Sequence, residues 1–105
     1  MLKWKEPSND DLKRLKAISI LLDDDERFIH FLFHPRKSQL ASSPETLKKE
    51  MKCFSSGEQT LLLIAMDIWG TYGGIHFDDL YTNLDPNTFK SCINSLAYIK
   101  RHLYR

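Results

Sequence analysis

Glu26, His30 and His34 recur at every fourth position of this chain. On a helix that spacing stacks the three side chains on one face. Two imidazoles at i and i+4 with a carboxylate beside them can share a metal ion. The set lacks the internal glutamate of a His-Glu-x-x-His motif. It also lies opposite the Phe28/Leu32 stripe, so a solvated face with no resident metal is the expected role.

His76 is the second residue with chemical potential. It follows the run Gly70-Thr71-Tyr72-Gly73-Gly74 and precedes Asp78-Asp79. A histidine beside a carboxylate can move protons, but no motif pairs this one with a serine or cysteine nucleophile. Cys92 falls on an apolar helix stripe, where a thiol is inert. The glycine-containing run matches neither a Walker A loop nor a dinucleotide fingerprint, and turn chemistry accounts for it. Cys53 and Cys92 have no metal-type spacing and read as reduced thiols. Asp23-Asp24-Asp25-Glu26 lacks the alternating spacing and glycine of a calcium loop, and reads as a helix break followed by an acidic first turn. These residues point to no catalytic centre, cofactor or metal, and the expectation is a protein that is not an enzyme.

The elements that would position these residues are helices. Ser55-Ser56-Gly57-Glu58 has the form of a capping box. It opens a run from Gln59 to Trp69 that is apolar on nearly every side, the pattern of a buried helix. The run is too short for a membrane span, which needs about 20 apolar residues. Asp85-Pro86 is a strong helix start. Phe89, Cys92, Ile93, Leu96, Ile99 and Leu103 follow it at three- and four-residue spacing, which makes one stripe. Between these two, residues 77–84 read as a short helix with Phe77, Leu80, Tyr81 and Leu84 inward. Toward the N-terminus, Leu12, Leu15, Ile18 and Leu22 mark a helix. Phe28, Ile29, Leu32 and Phe33 mark another, stopped by Pro35. Leu47, Met51 and Phe54 mark a third, entered at Ser43-Pro44. Residues 36–43 read as a polar linker. The predicted fold is all-α: a compact single domain, 1–105, of five or six helices at 10–22, 25–34, 44–53, 57–69, 77–84 and 86–103, with 57–69 as the buried centre. The last helix is expected to pack on the central one, because that helix is apolar on more faces than one neighbour covers.

Composition narrows the partners. At 42% hydrophobic and 28% charged, the chain has the balance of a globular protein and not of a disordered one. A net charge of +1 exerts no global pull toward nucleic acid or a membrane surface. The opening Met1-Leu2-Lys3-Trp4-Lys5-Glu6-Pro7 has no apolar core of a signal peptide, so a cytoplasmic location is expected. Charge is nonetheless segregated. From Gly57 to Asp85 every charged residue is acidic, and from Pro86 to Arg105 every one is basic.

The pattern Ser55-Ser56-Gly57-Glu58, the apolar run Leu61 to Trp69, a glycine-containing loop, Leu80, Leu84-Asp85, Phe89 and Ile93 resembles small helical proteins of bacteria and their phages. The resemblance covers the C-terminal half and implies an accessory or regulatory protein. It carries over no site residue. The expected function is a helical module that binds a protein partner, a second copy of itself being one option. Trp4, Tyr98 and Tyr104 are candidate exposed anchors. The outer face of the last helix, with Lys90, Asn94, Tyr98 and Arg101, is the candidate partner-binding surface. The alternative is DNA binding, with residues 75–96 laid onto a helix-turn-helix. The last helix would then present Asn87, Lys90, Ser91, Asn94, Tyr98 and Arg101 to bases and phosphates.

Overall fold

Polar caps set where the helices begin. Ser8, Asp25, Ser43, Ser55 and Asp85 each sit in extended backbone and accept a hydrogen bond from a first-turn N–H, which satisfies donors the helix itself leaves orphaned. The computed structural model describes residues 2–104. Among them run α1 (Asn9–Leu21), α2 (Glu26–Leu32), α3 (Pro44–Glu50) with a 3-10 turn at Met51–Cys53, α4 (Ser56–Gly70), α5 (Phe77–Asn83) and α6 (Pro86–Leu103). The fold is all-α, and the only strand-like feature among the described residues is an isolated bridge between Phe33 and Leu40.

The capping box of α4 is complete. Ser55 Oγ accepts from the Glu58 N–H at 3.2 Å, and Glu58 Oε1 accepts from the Ser55 N–H at 3.0 Å. From this start α4 runs through the middle of the molecule with Leu62, Ile64, Ala65 and Met66 buried. Thr60 is buried too, and its hydroxyl donates to the Ser56 carbonyl at 2.9 Å, so no polar group is stranded. α1 lies against α4 and contributes Ala17, Ile18 and Leu21. Leu47, Met51, Phe28, Leu32 and Phe33 complete one continuous core. The radius of gyration is 13.2 Å, the value expected of a packed chain of about 100 residues.

Three expectations need correction. α2 stops at Leu32, two residues short of the predicted end. Phe33 is already extended (φ −116, ψ 145), because the backbone turns there to pair with the 36–43 segment. His34 N–H donates to the Gln39 carbonyl at 3.0 Å and Ala41 N–H to the Leu32 carbonyl at 2.8 Å, so the supposed linker is tied down. Trp4 is not an exposed anchor. It is half-buried against Phe33 and Trp69, with ring centroids at 5.5 and 5.6 Å, and its indole N–H donates to the His34 carbonyl at 2.7 Å. Tyr104 is also half-buried, with Lys13 Nζ 4.5 Å from its ring centroid.

The third correction matters most for function. α6 packs chiefly on α1, not on α4. Cys92 and Ile99 are its buried residues, whereas Ile93, on the predicted inner stripe, is 42% exposed. Burial pushes the Cys92 thiol pKa up, while Cys53 is exposed. In the native protein an aromatic disulfide reagent should therefore modify Cys53 quickly and reach Cys92 only after unfolding. Equal reaction rates for the two thiols would contradict the packing of α6 on α1.

Candidate functional site

The displacement of α6 toward α1 leaves the outer side of α4 incompletely covered. A hollow of about 380 Å³ opens between α4, α5 and α6, with Ile64, Leu80 and Leu96 on its walls and Ile75, His76 and Phe77 on its rim. Phe77 is 80% exposed and Tyr81, one turn on, is 68% exposed. Both were expected on the inner face of their helix. Only Leu80 and Leu84 are buried there. The apolar arc of α5 is wider than α4 covers, and α6 does not close the remainder. The Tyr81 ring instead rests on Phe89 of α6 at 5.8 Å between centroids. An aromatic ridge thus borders an aliphatic hollow on one surface.

One carboxylate holds that surface in place. Asp67 of α4 accepts three backbone N–H bonds from the following loop: Gly73 at 2.7 Å, Gly74 at 3.2 Å and Ile75 at 3.1 Å. Thr71 caps α4 in the left-handed region, φ 62, and the chain then folds back along the helix. His76 N–H donates to Asp79 Oδ2 at 3.0 Å, which fixes the start of α5 and spends Asp79 as a cap. No role is assigned to Asp67 from the sequence alone. The available signal was an acid at the end of a buried helix, followed by a glycine-containing loop rich in free N–H groups.

The predicted partner face is exposed at all four positions, Lys90, Asn94, Tyr98 and Arg101. Lys90, Asn94 and Tyr98 line a shallow polar groove of about 670 Å³ against α1, facing Lys16, Ile20, Asp23 and Asp24. Arg101 continues the same helix face beyond the groove. Tyr98 lies against His102, with centroids at 4.2 Å.

The spacing of Glu26, His30 and His34 does not produce a shared site. His30 Nε2 meets Glu26 Oε2 at 3.0 Å. His34 lies beyond the helix end, where its Nδ1 accepts from the N–H groups of Arg36 and Lys37, each at 3.0 Å. No group of three or more His, Cys, Asp or Glu side chains that could hold a metal occurs among the described residues. No helix there is long and apolar enough to cross a membrane.

Two surface carboxylates are held below their ordinary range. Asp25 is lowered chiefly by its side-chain bond to Arg27, and Asp85 chiefly by the Thr88 N–H. Both act as helix caps. Comparison with family models, curated proteins and solved structures finds no match to this chain.

Proposed function

We propose that this chain is a non-enzymatic binding module that engages a protein partner through the ridge and hollow of α5 and α6. The observation that carries the reading is the exposure of Phe77 and Tyr81 on successive turns beside an aliphatic hollow. Exposed aromatic side chains next to an unfilled apolar depression are the ingredients of an interface centre. Lys90, Asn94, Tyr98 and Arg101, further round α6, supply the polar rim such a centre needs. Two free thiols support work in a reducing compartment, the cytoplasm. The resemblance to small bacterial and phage proteins supports an accessory or regulatory role.

DNA binding through α6 is the alternative reading. The two-residue joint Leu84-Asp85 between α5 and α6, and the exposed Lys90, Asn94 and Arg101, favour it. Asp23 and Asp24 across the groove, and Asp78 on α5, weigh against it, because phosphates would run past them.

A Phe77→Ala/Tyr81→Ala double variant tests the main reading. Both side chains are largely exposed, so its unfolding free energy should stay within about 0.5 kcal/mol of the parent. Capture of protein partners from a native lysate should fall at least about tenfold. Unchanged capture by a folded double variant would move the binding site away from this surface.

A further inference from the structure

We infer that the occupant of the α5–α6 surface is a second copy of this chain, bound through a two-fold axis; the inference rests on the protein-binding reading above. Three observations favour a copy over an unrelated protein. First, knob and hollow lie on the same surface. Phe77 projects 80% exposed from the rim of a depression walled by Ile64, Leu80 and Leu96. A two-fold rotation can place each Phe77 against the other chain's hollow, as an isologous contact requires.

Second, charge is segregated about that apolar centre. Asp78 is exposed in the first turn of α5 and Lys100 is exposed on the side of α6 that carries Phe89 and Ile93, whereas Asp79 and Asp85 serve as helix caps and Lys90 and Arg101 lie on the groove face. A patch with acid on one side and base on the other is complementary to its own rotated copy. A partner of uniform charge would be opposed over half of it.

Third, the ridge continues onto α6. Tyr81 rests on Phe89, and Ile93, one turn beyond Phe89, is 42% exposed. Lys100 lies two turns past Ile93 on the same side of the helix. Lys100 therefore borders the ridge, where its ammonium donates to the Tyr104 carbonyl at 2.7 Å and keeps donors for Asp78 of the other copy.

The test is the oligomeric state of the full chain by sedimentation, from dilute to concentrated solution. The wild type should show a concentration-dependent dimer that weakens as salt is raised. Phe77→Asp should weaken association at least about tenfold while leaving the far-UV circular dichroism spectrum unchanged. Asp78→Lys and Lys100→Glu should each weaken the homodimer by placing like charges opposite one another. An equimolar mixture of these two variants should associate more tightly than either alone, because both cross-axis pairs are then opposite in sign.

A wild type that stays monomeric at every concentration overturns the second copy. So does a folded Phe77→Asp variant that dimerises as the parent does, or a mixture that fails to recover association. A monomeric wild type whose capture of other proteins still depends on Phe77 and Tyr81 overturns only this inference. Capture independent of those residues overturns the binding reading as well.

Discussion

Leu62→Ala is expected to lower the unfolding free energy by about 2–5 kcal/mol. Leu62 is 0% exposed and sits in α4, the helix against which α1 packs most extensively. Truncation removes three buried carbons and leaves a cavity whose walls belong to two helices already fixed by their caps. The interface has little freedom to collapse. Domains of this size hold only about 5–15 kcal/mol in total. At roughly 4–8 °C per kcal/mol, the thermal midpoint should fall by roughly 10 °C or more. Leu63→Ala, one residue on, should cost distinctly less, because Leu63 is only half-buried. Urea denaturation followed by circular dichroism measures both. Equal losses at the two positions would mean that the phase of α4 against α1 differs from the one described.

That contrast shows how far the sequence can be read. Leu61, Leu62, Leu63 and Ile64 are consecutive apolar residues, and periodicity cannot rank them. It identifies a buried helix, not the side its main neighbour takes. Helix starts were legible because each depends on two or three adjacent residues: Ser55 with Glu58, Asp85 with Pro86, Ser43 with Pro44. These are local bonds, formed within one turn. The ends of α2 and α3 were less so. α2 ends early because Phe33 pairs with Leu40, seven residues away, and only the tertiary fold creates that pairing.

The exposure of the α5 aromatics departs from expectation for the same reason. Phe77 and Tyr81 share an arc with Leu80 and Leu84, so helical spacing assigns all four to the core. Which of them are covered depends on where α6 goes. The expectation that α6 would close over α4 followed from α4's surplus of apolar surface, but α6 packs chiefly on α1 instead. The exposed aromatics and the altered helix pairing are one fact. The four polar candidates on α6 were placed in solvent correctly because Lys90, Asn94, Tyr98 and Arg101 lie opposite Cys92 and Ile99, and a single amphipathic helix fixes that relation by itself.

Gly73→Ala should be the most damaging change in the loop that carries the surface, on the order of 2–4 kcal/mol from the loss of carboxylate hydrogen bonds. A β-carbon there would come within 2.0 Å of the Leu63 carbonyl oxygen and 2.9 Å of Asp67 Cγ. Both obstacles belong to α4, and the nearer is helix backbone, which cannot swing aside. The loop would have to lift away. The 2.7 Å bond from Gly73 N–H to Asp67 would be the first lost, and those from Gly74 and Ile75 would follow. Gly74 is the instructive control. Its φ is +65, yet the nearest atom to an added β-carbon is Lys48 Nζ at 3.9 Å. Gly74→Ala should therefore cost only the left-handed backbone penalty, about 1–2 kcal/mol. The glycine with ordinary φ is thus expected to be the less replaceable of the two, because close approach to a helix outweighs backbone strain. Thermal unfolding ranks the pair directly. Amide hydrogen exchange at Gly74 and Ile75 supplies the second readout, since both N–H groups should lose protection in Gly73→Ala while those of α1 keep theirs. If Gly74→Ala proved the worse of the two, the loop would not be held by its contact with Leu63 and Asp67, and the placement of Phe77 would need another explanation.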